Sequence, residues 1–185
     1  MFEKSLSELG CLPLVVALAA AQALTRAGLK GHQVKWPNDL LLKGQKLCGC
    51  LVEAQGDAQG PCYAVLGVGI NVHMPPSGIA TEIDQPWTDL HSHVPECSRN
   101  GLATLLLEEL LMHLGVFDEQ GFPPFKILWN KMDGLYGHMV NIQTGNNSVQ
   151  GVAKGIDDSG ALLLDTGEEV LRLHSGEASL HQSKI

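Results

Sequence analysis

A polar pair, Asn38 and Asp39, and a lysine, Lys46, are the residues whose types and spacing are best placed to do chemistry. They lie in the stretch KWPNDLLLKGQKLCGCLVE, residues 35–53. Pro37 cannot donate to a sheet ladder, so the stretch should open as a loop or strand edge. The apolar runs that follow, broken by a glycine turn, predict two neighbouring strands. Lys46 would then approach the polar pair across a cleft, although a turn with a buried tryptophan and a solvated lysine has the same pattern.

A second block, YAVLGVGINV at residues 63–72, is a continuous apolar run. Such runs are typical of a central strand that is buried on both faces. Gly67 and Gly69 do not complete the G-x-G-x-x-G pattern of a dinucleotide fold. They either let a ligand approach the backbone closely or simply belong to strand geometry. Asn71 offers an amide donor and acceptor at the end of the strand.

Composition and charge narrow the class of protein. A chain of 185 residues with 44% hydrophobic and 17% charged residues is ordinary for a soluble globular protein. Its formal net charge of −8 argues against a broad phosphate-binding surface, so we do not expect a nucleic-acid partner. The five cysteines are odd in number and contain no C-x-x-C pair, which favours reduced thiols in a cytoplasm over disulfides or a zinc site.

The apolar run at residues 12–21 predicts a buried helix over residues 13–27, stopped at Gly28. A signal peptide is the alternative, but the residues before the run are acidic rather than basic, and the run is too short to span a bilayer. A short strand is expected at residues 33–35 and further helices at 101–120 and from Pro123. In the longer helix, the sequence predicts an inward face of Leu102, Leu106, Leu110, Leu114 and Phe117, and an outward face of Glu108 and Glu109.

The last fifty residues have a different texture. Short apolar runs at residues 138–143, 148–156, 161–165 and 168–173, separated by turn clusters, predict a small β-barrel. The pair of histidines in His91-Ser92-His93 lacks further ligands at suitable spacing, so we do not assign a metal there.

The two ordered blocks resemble the signature of the biotin protein ligases, KWPNDL followed by K-L-x-G-I-L-V-E and then G-x-G-I-N. Residues 155–164 are similar to that family's later pattern G-I-D-x-x-G-A-L-L-L, and the ending at residues 176–179 to its G-E-[IV]-S. The resemblance covers essentially the whole chain. It implies an α+β fold: a partial class II synthetase-like (biotin/lipoate ligase) mixed sheet with packed helices over residues 1–135, followed by an SH3-like β-barrel over residues 136–185.

The resemblance also implies a reaction. The family activates biotin with ATP to biotinyl-AMP and then transfers biotin to a lysine of the biotin carboxyl carrier protein of acetyl-CoA carboxylase. Lys46 would neutralise carboxylate and phosphate charge, because an ammonium donates to both. Asp39 and Asn38 would orient the reacting groups or a Mg²⁺. Gly49, Gly67, Gly69 and Asn71 would border the nucleotide. We also expect a homodimer that is located in the cytoplasm. We expect neither a membrane nor a nucleic acid as partner.

One departure from the family affects activity. The family carries a G-R-G-R-x-G-R loop and biotin-binding residues before the first helix, whereas this sequence has three arginines, none of them in such a loop. We therefore expect a truncated ligase that forms little or no adenylate by itself. A catalytically inactive short homologue that binds nucleotide or carrier protein is the alternative, and a lipoate ligase is a second one because that family shares the fold.

Overall fold

The structure is a computed structural model that describes residues 4, 8–56, 62–74 and 85–180. The described part is an α+β protein with two antiparallel sheets. The first sheet and its helices comprise a 3₁₀ turn at Glu8–Cys11, α1 at Leu12–Arg26, β1 at His32–Lys35, β2 at Asp39–Leu42, β3 at Gln45–Gly56, β4 at Cys62–Ile70, α2 at Arg99–Gln120 and α3 at Pro123–Met132. The second sheet comprises β5 at Met139–Thr144, β6 at Asn147–Ile156, β7 at Leu162–Asp165, β8 at Val170–Leu173 and β9 at Glu177–Leu180.

The helix α1 is the centre of the core, as its apolar sequence predicts. Pro13 stands in its first turn, where a missing N–H costs nothing, and Gly28 follows its end with φ of 99°. Its side chains from Leu14 to Ala21 are buried on every face, because the helix packs on the sheet and on α2 together.

By length and apolar composition, two helical segments of the described chain meet the criteria for a membrane span. The first is Glu8–Arg26, and 72% of its most apolar stretch is buried inside the protein. The second is Arg99–Gln120, where 22% of that stretch is buried.

The first sheet has the strand order β1-β2-β3-β4, and its ladders are antiparallel. Two isolated parallel bridges, between Val34 and Asp133 and between Lys46 and Trp87, extend it. The prediction that residues 63–72 form a central strand buried on both faces is wrong. Among the described strands β4 lies at the edge, and after the buried Cys62 its residues alternate between exposed and partly buried. Among the described residues, the outward side chains of β4 are accessible, with Tyr63 54% and Val65 63% exposed.

The helices α2 and α3 occupy the predicted regions. Ser98 caps α2, because its hydroxyl accepts a hydrogen bond from the backbone N–H of Gly101 at 3.0 Å. Leu102 and Phe117 are buried as expected, but the prediction that Glu109 faces outward is wrong. Glu109 is 4% exposed, and Arg26 neutralises it from α1 at 3.0 Å. Leucines occupy the outer face instead, with Leu111 73% exposed.

The second sheet has the strand order β8-β7-β6-β5-β9. Four of its strands were expected from the sequence, and β9, which pairs with β5, was not. Its inward side chains form one continuous core with those of α1 and the first sheet, so the β-rich part packs directly on the helical part.

Candidate functional site

The carboxylate of Asp39 lies between two lysines. Lys46 Nζ is 2.7 Å from Asp39 Oδ1, and Lys35 Nζ is 3.1 Å from Asp39 Oδ2. All three side chains are largely shielded from solvent, with Lys46 the most accessible at 29%. The cluster carries a net charge of +1 in a partly desolvated position, so it is suited to an anionic ligand.

A β-bulge in β3 brings Lys46 to this face of the sheet. Asp39 pairs with Gly49 and Leu40 with Cys48, but Leu41 pairs with Lys46, so Leu47 is an extra residue. Residues three apart in a regular strand point to opposite faces. The inserted residue restores the parity, and Lys46 therefore shares a face with Gly49 and Asp39.

Glycines keep the sheet beside Lys46 free of side chains. Gly69 lies directly across from Gly49 in the ladder between β3 and β4. A Cβ on Gly49 would lie 3.3 Å from Asp39 Oδ1 and 3.4 Å from Lys46 Nζ. Gly67 pairs with Leu51, two residues further along β3 from Gly49. The cross-strand pair Gly49–Gly69 thus forms a flat backbone surface on which a ligand can lie close to the ammonium group.

The segment after residue 85 closes the site. The backbone N–H of Lys46 donates to Pro86 O at 2.9 Å, and the N–H of Thr88 donates to Lys46 O at 3.0 Å. The side-chain amide of Asn71 donates to Thr88 O at 3.1 Å and to Lys46 O at 3.3 Å. Asn71 therefore holds this segment against β3, and Trp87 is fixed beside Lys46 as a result.

A cavity of about 190 Å³ lies over these groups, lined by Lys46, Cys48, Gly49, Gly69, Asn71, Gln85 and Trp87. It is smaller than the roughly 300 Å³ from which small-molecule sites usually begin, so it would hold part of a ligand. Trp87 gives it an aromatic wall. A hydrogen bond with Cys50, together with burial, raises the pKa of Cys48 well above its usual range, so this thiol is not a nucleophile at neutral pH.

The site thus contains Lys46, Asp39, Gly49, Gly69 and Asn71 of the predicted residues. Asn38 does not join them, because its side-chain amide donates to the backbone oxygen of Cys50. It lines a second cavity of about 340 Å³ between α1 and the second sheet.

Sequence reasoning missed Lys35 and Trp87. The i,i+4 spacing of Lys35 and Asp39 was available as a signal. Trp87 stands in a polar loop, and no local pattern marks it.

The surroundings of Asp39 do not suit Mg²⁺. Both carboxylate oxygens already accept from ammonium groups, whereas a magnesium site needs several oxygen ligands that are free to bind the ion. The described residues contain no group of three or more His, Cys, Asp or Glu side chains that could hold a metal ion. His93, from the histidine pair, is instead within 2.9 Å of Thr88 Oγ1.

Two protein families match the chain. The Biotin/lipoate A/B protein ligase family matches residues 2–71, which include the Asp39–Lys46 cluster and both site glycines. The Biotin protein ligase C terminal domain matches residues 136–181, which include the second sheet. Fold and site thus define the class, a protein of the biotin and lipoate ligase type.

Individual relatives narrow this class. The bifunctional ligase/repressor BirA of Escherichia coli (strain K12) is 34% identical over 173 residues, which are 94% of this chain and 54% of that protein. The biotin–[acetyl-CoA-carboxylase] ligase of Paracoccus denitrificans is 32% identical over 161 residues, 83% of this chain and 65% of that protein. The chain therefore spans about half the length of the BirA proteins that it matches.

Solved structures agree. The crystal structure of biotin protein ligase from Aquifex aeolicus superimposes with a TM-score of 0.83 and 27% identity, covering 99% of this chain and 79% of that chain. The complex of that ligase with biotin and ATP gives a TM-score of 0.79 and 27% identity, over 97% and 73% of the two chains. The chain is homologous to the biotin protein ligases and has their fold.

Proposed function

We propose that the Asp39–Lys46 cluster is part of the active site of an ATP-dependent biotin–protein ligase of the biotin–[acetyl-CoA-carboxylase] type. The reaction joins the biotin carboxylate to the α-phosphorus of ATP, giving biotinyl-AMP and pyrophosphate. A lysine of the biotin carboxyl carrier protein then attacks the acyl carbon and releases AMP. The single observation that carries this proposal is the ammonium group of Lys46, held by Asp39 over a surface without side chains.

The electrostatics support this assignment. Carboxylate and phosphate repel each other, so their approach requires a cation that contacts both. The Lys46 ammonium has three donors, and Asp39 occupies one of them, which fixes the amine without exhausting it. Lys35 neutralises Asp39 from the other side and leaves the cluster cationic overall. A planar base can pack on the indole of Trp87.

Biotin and ATP are the substrates in this proposal. Any Mg²⁺ would arrive on the phosphates of ATP rather than on Asp39, because Asp39 is already neutralised. The carrier protein is the macromolecular partner, and a homodimer in the cytoplasm remains a prediction. The described cysteines form no disulfide with one another, and four of the five are buried, which is compatible with a reducing compartment. We propose no membrane or nucleic-acid partner.

Biotin-dependent exchange of pyrophosphate into ATP tests the proposal, together with calorimetric binding of AMP. Lys46→Ala should lower the exchange rate by about a hundredfold or more and weaken AMP binding. The matched control is Lys154→Ala, which removes a surface lysine paired with Asp165 at 3.4 Å and should change neither. Exchange that survives in Lys46→Ala would remove the lysine from the mechanism.

The same assay separates the alternatives. AMP binding without any exchange would identify an inactive homologue that binds nucleotide. Competition by lipoate but not by biotin would identify a lipoate ligase, the other activity named in the matching family.

A further inference from the structure

The indole of Trp36 connects the two parts of the protein. Its Nε1–H donates to the backbone oxygen of Gly160 at 3.1 Å, across a sequence separation of 124 residues. Trp36 is 1% exposed, so the donor has no access to water if this bond breaks. Gly160 lies in the turn between β6 and β7, within the β-rich part.

The turn that presents Gly160 is organised by one carboxylate. Asp157 Oδ1 accepts from the backbone N–H of Ser159 at 2.8 Å and of Ala161 at 3.1 Å, and Asp157 Oδ2 accepts from Arg172 Nε at 2.7 Å. The backbone N–H of Asp157 also donates to Ala161 O at 2.9 Å. The turn therefore fixes the Gly160 oxygen, which accepts from the indole, through its own hydrogen bonds.

The same turn packs on the helices. A Cβ on Gly160 would lie 2.9 Å from Cys11 Cβ and 3.3 Å from Leu14 Cδ2, so the turn contacts the start of α1 with no space for a side chain. Gly160 has φ of 80°, which also favours glycine. On the other side, Lys126 of α3 reaches Asp158 at 2.6 Å.

Trp36 lies in the sequence between the two ends of one ion pair of the candidate site. It follows Lys35 directly and precedes Asp39, the partner of Lys35, by three residues. The loop between them is tied to β3 by the N–H of Cys50, which donates to Asn38 O at 2.9 Å. A displacement of Trp36 would shift this loop and, through it, the carboxylate that holds Lys46.

We infer that Trp36 is a positioning residue, through which the Asp157–Ala161 turn of the β-rich part sets the geometry of the Lys35–Asp39–Lys46 cluster. This inference rests on the proposed function for its effect on catalysis. The mechanical coupling itself can be measured without activity. The hydrogen bond between Trp36 and Gly160 acts on the reaction only through Asp39, and Trp36 itself does not touch the reacting atoms.

Two substitutions break the contact from opposite sides. Trp36→Phe removes the donor and keeps an aromatic ring, with Trp129→Phe as its control, since Trp129 is equally buried and belongs to α3. Gly160→Ala forces a Cβ against Cys11. Its control is Gly167→Ala, another positive-φ glycine of the β-rich part, which has no atom within 4 Å of the added Cβ.

The first readout is the hydrogen–deuterium exchange rate of the Cys50 backbone amide, monitored by NMR on the full chain. Trp36→Phe and Gly160→Ala should each raise its exchange rate by about tenfold, and the two controls should leave it within about twofold. The second readout is steady-state ATP–pyrophosphate exchange, in which kcat should fall by roughly ten- to a hundredfold while KM for ATP changes little.

The outcomes are distinct. Unchanged exchange at Cys50 in both test variants, or equal changes in test and control variants, would overturn the inference while leaving the role of Lys46 intact. Faster exchange at Cys50 in a protein that neither binds AMP nor exchanges pyrophosphate would support the coupling and overturn the proposed function. If Trp36→Phe fails to fold, Gly160→Ala with its control decides the question.

Discussion

A Cβ on Gly49 would lie 3.2 Å from Lys46 Cε, closer than most real Cβ contacts. The absence of a side chain at position 49 is therefore what allows Lys46 to lie flat along the sheet and reach Asp39. In an alanine variant either the lysine stem or the strand must shift.

Gly49→Ala should weaken AMP binding about tenfold, because the displaced ammonium no longer meets the ligand over the glycine surface. Titration calorimetry measures the change. The control is Gly115→Ala in α2, where a Cβ has no neighbour within 4 Å. It should leave AMP binding unaltered and raise the free energy of unfolding by about 0.5–1 kcal/mol. Equal AMP affinities for Gly49→Ala and wild type would show that the lysine does not depend on this glycine.

Two adjacent glutamates should differ sharply in their effect on stability. Glu109 is buried and lies 3.5 Å from His113 Nδ1 as well as 3.0 Å from Arg26, whereas the Glu108 side chain is 54% exposed. Glu109→Gln should lower the free energy of unfolding by about 1–3 kcal/mol, because the ion pair between this buried carboxylate and Arg26 is lost. Glu108→Gln should change it by less than about 0.5 kcal/mol. Urea denaturation distinguishes the two, and equal losses would contradict the buried network.

Stability should decline as the pH falls below about 6.5. Burial lowers the pKa of His32, whose Nε2 is 2.9 Å from Ala21 O, so the folded protein resists a proton that the unfolded chain accepts. The free energy of unfolding begins to fall near the pKa that His32 has in the unfolded chain and stops falling below its lower pKa in the folded protein. His32→Gln should reduce it, while His174→Gln, at an exposed position, should not. Denaturation midpoints measured between pH 5 and 8 provide the test. Parallel curves of midpoint against pH for wild type and His32→Gln would refute the assignment to His32.

The Asp157 turn should lose stability in acid. Partial burial raises the pKa of this carboxyl, but hydrogen bonds from Ser159 and Arg172 outweigh that effect and bring the pKa down to about 2. Its contribution is thus complete above pH 3.8 and is lost as the pH falls towards 2. Asp157→Asn should destabilise the protein by about 1–2 kcal/mol at pH 7 and flatten the acid limb. Asp118→Asn, on the exposed side of α2, serves as control, and an unchanged acid limb in Asp157→Asn would count against the assignment.

The sequence sufficed for the parts of the fold that local patterns determine. The apolar run of α1, the glycine turn before β3 and the turn clusters of the second sheet each specify an element by propensity and spacing. The approach of Lys46 to Asp39 was foreseen for the same reason, since two strands joined by a tight turn must be neighbours. The resemblance to the family supplied the chemistry.

Other features depend on tertiary contacts and could not be foreseen. The bulge at Leu47 arises from the pairing of β2 with β3, and without it Lys46 and Gly49 would lie on opposite faces. Trp87 joins the site only through backbone pairing with Lys46. The apolar run of β4 suggested burial on both faces, but alternate residues of this strand are exposed. Glu109 is buried because Arg26, far away in sequence, supplies its counter-charge.

The three tryptophans lie in three different surroundings: Trp36 at the junction of the two parts, Trp87 beside the lysine cluster, and Trp129 within α3. Replacing any two by phenylalanine leaves a single tryptophan, whose emission can be excited apart from that of the two tyrosines. Without an attached dye, the emission of Trp36 would then report on the junction and that of Trp87 on nucleotide binding. The emission of Trp129 would report on unfolding of the helices.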